Sequence, residues 1–125
     1  MASTILIVED DSFISTFLED KLKETFQVKA VTNAAAARET LAQGPINLIV
    51  LDVLLPDENG FAFLEDIKKS GSLYKSIPVL ILSNLDQPED IERGKKLGAV
   101  EYLVKANQMP SDVVEVIKKI LQAPA

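Results

Sequence analysis

Two hydrophobic periods alternate five times along this chain, and that alternation limits its fold more than any other feature. Short continuous apolar runs rich in β-branched residues read as buried strands: Ile5–Val8, Val28–Val31, Ile46–Leu51, Ile77–Leu82 and Val100–Val104. Between them, apolar residues recur at helical spacing with charged residues on the opposite face. Phe13, Ile14, Phe17, Leu18 and Leu22 mark a first helix within residues 12–26. Ala34–Ala42 is an alanine-rich second helix, ended by Gly44-Pro45. Phe63, Leu64 and Ile67 place a third that closes near Gly71, after a turn-rich loop at Leu54–Gly60. Pro88–Leu97 reads as a fourth, stopped by Gly98, and Val113, Val114, Ile117, Ile120 and Leu121 give a last amphipathic helix. Pro78 falls at a strand start, where a missing N–H is tolerated.

Strand then helix, five times over, predicts an α/β three-layer sandwich with helices on both faces of a five-stranded parallel sheet. The first, third and fourth strands are apolar almost throughout, as strands covered on both faces are. The second and fifth carry Lys29 and Glu101, as edge strands do. That pattern fits the flavodoxin-like order 2-1-3-4-5. A chain of 125 residues is expected to form a single domain, residues 1–125, with a core of about 3–122. The tail Gln122–Ala125 is expected to fray.

Composition removes whole classes of function. The apolar runs are no longer than about six residues and no basic patch precedes the first, so neither a membrane span nor a signal peptide is expected. The chain has no cysteine and no histidine. That excludes disulfides, thiol catalysis, cysteine-bound zinc, imidazole bases and ligands, and any hydrolytic triad. The lack of cysteine also fits a cytoplasmic location. With 13 basic and 19 acidic residues the net charge is −6, which repels nucleic acid and anionic membranes; neither is expected as a direct partner.

In open α/β sheets ligands bind beyond the carboxyl ends of the strands, where strand order reverses. Glu9, Asp10 and Asp11 follow the first strand, Asp52 the third, Ser83 the fourth and Lys105 the fifth. Each alone has a plainer reading. An acidic run before a helix is usually a cap, and Asp11 is expected to be only that. Asp52 alone fits a strand-ending loop residue, Ser83 a turn residue, and Lys105 a solvated lysine. Their coincidence at one rim is what random placement would not produce. Carboxylates about 4 Å apart repel by roughly 4 kcal/mol per pair at an effective dielectric near 20. Lys105 offers one counter-charge. A hard divalent cation with oxygen ligands, Mg²⁺, would supply the rest. Other chemistries lack their parts: there is no glycine-rich phosphate loop, no dinucleotide fingerprint and no hydroxyl-rich flavin loop. A dehalogenase-type phosphatase would want a second Asp two residues after the nucleophile, where this chain has Leu54.

Ile5-Leu-Ile-Val-Glu-Asp-Asp11, Leu51-Asp-Val-Leu-Leu-Pro-Asp-Glu-Asn-Gly60, Leu82-Ser83 and Tyr102-Leu-Val-Lys105 together resemble the signatures of the receiver domains of two-component signalling, in order and spacing. The resemblance implies that Asp52 is the phosphoacceptor. It implies that Glu9, Asp10, Asp52 and the backbone carbonyl of Leu54 hold Mg²⁺. Lys105 should pair with the incoming phosphoryl group, Ser83 should hydrogen-bond one of its oxygens, and Tyr102 should change rotamer with Ser83. It further implies a switch that assists its own phosphotransfer and dephosphorylation rather than an enzyme. The expected donor is a sensor histidine kinase or a histidine phosphotransfer protein. The expected target is a downstream protein or output domain, met through the face of helix 4, strand 5 and helix 5, where a homodimer is also left open.

Two competing readings are a pseudo-receiver that only binds proteins and a small Asp-nucleophile phosphatase. The first has no need of clustered carboxylates, and the second lacks a general acid and a cap. Two departures from the family pattern, and two apolar neighbours of the acceptor, carry expectations of their own. Ala106 follows Lys105 where the family has proline, often after a cis bond. A cis bond without proline costs about 2.5–4 kcal/mol, so a trans bond with a shifted loop, or a strained one, is expected. Asn84 stands where a small residue is usual and should crowd or hydrogen-bond the phosphoryl site. Leu54 and Leu85 are expected to flank the acceptor and exclude the hydrolytic water.

Overall fold

The computed structural model describes residues 3–122. Of the tail expected to fray, Gln122–Ala125, Gln122 is the last residue of a helix, while residues 123–125 and the leader residues 1–2 lie outside the described residues. Within them the order of elements is β1 (Thr4–Val8), α1 (Ser12–Leu22), β2 (Gln27–Val31), α2 (Ala34–Gln43), β3 (Leu48–Leu51), α3 (Gly60–Lys68), β4 (Val79–Ser83), α4 (Pro88–Lys96), β5 (Glu101–Val104) and α5 (Pro110–Gln122). The strands are parallel and run β2-β1-β3-β4-β5, the order expected from their polarity.

The polarity argument holds strand by strand. All of β3 and β4 is buried, and all of β1 after Thr4, whereas every residue of β2 is exposed or half-buried. In β5 only Tyr102 is buried. Side chains alternate across the sheet with period two. Leu6, Val8, Ile49, Leu51, Val79 and Ile81 point to one face, under Ala37 and Leu41 of α2 and Phe63, Leu64 and Ile67 of α3. Ile5, Ile7, Leu48, Val50, Leu80 and Leu82 point to the other, under Leu18 and Leu22 of α1 and Val113, Val114 and Ile117 of α5.

Three shifts from the expected boundaries have clear local reasons. Helix α1 stops at Leu22 rather than near residue 26, because Thr25 and Phe26 both donate their amides to Leu22 O and turn the chain. Phe26 then packs against the second core cluster. Strand β3 starts at Leu48, not Ile46, because Asn47 brackets the strand mouth: its amide donates to Thr4 O at 2.8 Å and its Oδ1 accepts from Thr4 N at 2.8 Å. Strand β4 begins one residue after Pro78, which contributes only its carbonyl, to Ile49 N at 3.0 Å, and the strand continues through Ser83.

Candidate functional site

Register decides what meets at the carboxyl rim. Val8 lies opposite Leu51, so Glu9 and Asp52 leave the sheet side by side. Ser83 lies opposite Val104, so Lys105 emerges next to them. The ladder carries on for one more bond at each of the first two: Glu9 N donates to Val31 O and Asp52 N to Val8 O, both at 3.0 Å. These bonds fix where the side chains start.

The side chains then converge. One carboxylate oxygen each from Glu9, Asp10 and Asp52 lie within 4.8 Å of one another. Lys105 Nζ sits 2.5 Å from Glu9 Oε1 and 2.8 Å from Asp52 Oδ2. The remaining oxygens are held by backbone: Glu9 Oε2 accepts from Asp11 N and Asp52 Oδ1 from Leu54 N, both at 3.0 Å. Glu9 and Asp52 are thus buried but fully partnered, while Asp10 is exposed. Among the described residues no buried side-chain nitrogen or oxygen lacks a hydrogen-bond partner.

Charge at the rim does not balance. Burial pushes the Glu9 carboxyl above its ordinary value; Lys105 and the Asp11 amide pull it down, and the neighbouring Asp52 pushes it up again. Burial alone would lower the Lys105 ammonium, but its hydrogen bonds to Asp52 and Glu9 outweigh that and leave it raised, hence firmly charged. One ammonium faces three carboxylates. An oxygen-only donor set with surplus negative charge suits a hard divalent cation such as Mg²⁺.

The expected residues fall into three groups. Glu9, Asp10, Asp52 and Lys105 form the cluster itself. Asp11 turns away from it and caps α1, its Oδ1 accepting from Phe13 N at 3.0 Å and Ile14 N at 3.4 Å. Ser83 and Tyr102 make a second, adjoining layer. Ser83 is fully buried and its Oγ accepts from Leu85 N at 3.3 Å. The Tyr102 hydroxyl points inward and donates to Leu85 O at 2.7 Å. Burial first, and the negative charges of Asp90 and Asp52 after it, push the Tyr102 phenol up to about 12.

Asn84 is exposed, next to the fully buried Ser83. No peptide among the described residues is cis, so Lys105 and Ala106 are joined by a trans bond, and Lys105–Asn107 forms a single 3-10 turn. Leu54 is 53% exposed, but Leu85 is half-buried and packs against the first core cluster. Of the two leucines, Leu54 is therefore the more open to solvent.

The loop from Asp52 to α3 holds residues to which the sequence assigned no role of their own. Asn59 caps α3, its side chain accepting from Phe61 N at 2.8 Å. Gly60 is obligatory: a Cβ there would lie 2.3 Å from Val53 Cα and 2.7 Å from Asp52 O. An Asn before an apolar helical run is a readable cap signal. The close approach at Gly60 leaves no mark in the sequence beyond the glycine itself.

The model of the family described as "Response regulator receiver domain" matches residues 5–118. Over 107 residues the chain is 36% identical to a Vibrio cholerae protein named "Probable cyclic di-GMP phosphodiesterase", covering 86% of this chain and 24% of that protein. Over 120 residues it is 35% identical to the transcriptional regulatory protein GltR of Pseudomonas aeruginosa, covering 95% of this chain and 49% of GltR. The chain therefore spans a quarter to a half of the length of these relatives. Among solved structures, the BeF3-activated receiver domain of DrrB superposes with a TM-score of 0.87 at 26% identity, over 98% of this chain and all of that one.

Proposed function

This chain belongs to the response regulator receiver domain family, and from that premise we propose that it is a phosphorylation-activated switch of a two-component phosphorelay, with Asp52 as phosphoacceptor. The observation that carries the proposal is the shared Lys105 ammonium, bonded to both Glu9 and Asp52 with the Asp10 carboxylate alongside. A packing role does not call for three carboxylates gathered at the sheet's topological switch point.

The chemistry asks mainly for positioning and charge. An Asp52 carboxylate oxygen forms a bond to phosphorus as the bond to the donor's leaving group breaks, and an acyl phosphate results. The departing imidazole of a phosphohistidine donor takes its proton from solvent. Lys105, already at Asp52, follows the negative charge onto the phosphoryl oxygens. Ser83, one layer in, offers a hydroxyl to the same group. Glu9, Asp10, Asp52 and the Leu54 carbonyl are the groups that would hold Mg²⁺, which when bound offsets carboxylate repulsion and stabilises charge on the transferring group. The chain thus assists its own phosphorylation and dephosphorylation without turning over an outside substrate.

The product adds about −1.5 to −2 of charge. Drawing Ser83 and Lys105 towards it biases the surface of α4, β5 and α5, which Tyr102 connects to the site through Leu85. That surface is where we place the contact with an output domain or downstream protein. We place the approach of the donor, a histidine kinase or phosphotransfer protein, on the α1 side of the pocket. There an apolar groove lined by Phe13, Phe17, Met109 and Val113 reaches Lys105. The chain's lack of cysteine suits action in the cytoplasm.

Acetyl phosphate or beryllofluoride with Mg²⁺ tests the proposal, followed by mass and by the Tyr102 resonance. The expected result is one acyl phosphate per chain, absent in Asp52→Ala. Uptake of nothing would make the chain a binding module only. Rapid turnover of many equivalents would make it a phosphatase.

A further inference from the structure

The loop between Asp52 and α3 is fastened twice. Near the acceptor it is fastened to itself: Leu54 and Asn59 form an antiparallel bridge, and Gly60 N donates to Val53 O at 2.8 Å. Its far side is fastened to α2. The Asp57 carboxylate accepts from Ala34 N at 2.9 Å and Ala35 N at 3.0 Å, two amides of the first turn of α2 that have no partner within the helix. Asn33, the helix's own cap, takes the next amide, Ala36 N, at 2.8 Å. Glu58 then pairs in two-pronged fashion with Arg38 of α2, at 2.5 and 2.9 Å. Arg38 also reaches Asp66 of α3 at 3.3 Å and lies over the Phe63 ring, 5.0 Å from its centre.

Stability of the fold does not account for the ion pairs. Arg38 and Glu58 are 38% and 28% exposed, and ion pairs of that kind contribute little each. Place accounts for them better. Two successive loop residues are tied to one helix, and the same loop carries the Leu54 amide that holds Asp52 Oδ1. With Oδ1 on that amide and Oδ2 on Lys105, the Asp52 carboxylate has one orientation.

We propose that Asp57 and Arg38 are positioning residues for the acceptor: they lock the loop onto α2 and so keep the Leu54 amide on Asp52. The proposal rests on the reading of Asp52 as phosphoacceptor only for its consequence in phosphotransfer. A loose loop would let the Asp52 carboxylate turn and the Leu54 carbonyl wander, and small misplacements of reacting groups are costly in rate.

The test compares Asp57→Ala and Arg38→Met, which keeps an apolar stem on Phe63, with the conservative Asp57→Asn and Arg38→Lys. All are studied at temperatures where melts show them fully folded. In metal-free protein, exchange of the Leu54 amide with solvent is expected to quicken roughly 10-fold in Asp57→Ala. Mn²⁺ binding should weaken roughly 3- to 10-fold, and uptake from acetyl phosphate should slow about 10-fold, while Asp57→Asn, which still accepts one amide, falls between. Unchanged Leu54 exchange and Mn²⁺ affinity in folded Asp57→Ala would overturn the clamp; if that variant does not fold, Arg38→Met and Asp57→Asn decide by the same readings. Failure of the wild-type chain to take up phosphate would instead overturn the role of Asp52, and Leu54 exchange would still decide the clamp.

Discussion

At the scale of single residues, Tyr102 carries a clear pH signature. Its phenol is pushed up to about 12 by burial and nearby carboxylates, against an ordinary value of about 10. An acid whose folded value is raised adds stability that is complete below about 10 and disappears as pH climbs towards about 12. In Tyr74→Phe protein, which leaves Tyr102 as the one tyrosine, phenolate absorbance should therefore rise near 12. Onset near 10 in folded protein would mean the hydroxyl faces water. Leu54 makes a second residue-scale prediction, as the exposed apolar neighbour of the proposed acceptor, Asp52. Leu54→Asn gives water a polar foothold there, so phosphate loss from Asp52 should quicken several-fold, on the order of 1 kcal/mol in barrier. Loss at the wild-type rate or slower would dismiss water exclusion by Leu54.

At the scale of elements, the tight contact between α4 and β5 matters most. A Cβ at Gly94 would meet Ile81 Cδ1 at 2.7 Å and Tyr102 Cδ2 at 2.9 Å. The missing methyl is what lets α4 lie close over the inward Tyr102. In Gly94→Ala the gain in helix propensity, about 1 kcal/mol, opposes an overpacking cost of about 1–3 kcal/mol. The expected balance is a loss of up to about 2 kcal/mol with the Tyr102 ring displaced, to be read from melting curves and near-ultraviolet circular dichroism. A more stable variant with an unchanged tyrosine signal would show that Ile81 and Tyr102 yield freely.

Elements were also where the sequence spoke most plainly. Period and polarity foretold each strand, each helix and the strand order, because an edge strand and a central strand bury different faces. Glu9, Asp52, Ser83 and Lys105 were visible for the same reason: each ends a strand, and strand ends collect at one rim. The bond from Asp57 to Ala34 and the early stop of α1 at Leu22 were not visible. They depend on how a loop lies across a helix and how Phe26 meets the core, and neither leaves a period or a motif.

At the scale of the whole molecule, acid and partners test different surfaces. Hydrogen bonds from the Ala34 and Ala35 amides hold Asp57 below the ordinary carboxylate range, and Lys69 and Arg38 do the same for Asp66. The unfolded chain therefore binds protons first as pH falls below about 4, and stability should decline in that range. Asp57→Asn should flatten the decline in acid titrations followed by circular dichroism; an identical slope would mean that Asp57 contributes nothing to it. The proposed donor surface is tested at Phe13, which is 70% exposed and packs edge-to-face on Phe17 with ring centres 4.8 Å apart. Phe13→Ser should slow transfer from a phosphorylated histidine protein roughly 10-fold or more while leaving uptake from acetyl phosphate unchanged. Equal slowing of both would place Phe13 in the pocket's own chemistry instead.

Glu9, Asp52, Ser83 and Lys105 come from four different strand ends spread along the chain, and the lysine arrives last. While a ribosome is still making the chain, the acids emerge without their ammonium and the socket has no fourth wall. On the proposed reading, affinity for beryllofluoride therefore reports that β5 has docked: a fragment ending before β5, and so lacking Lys105, should bind none.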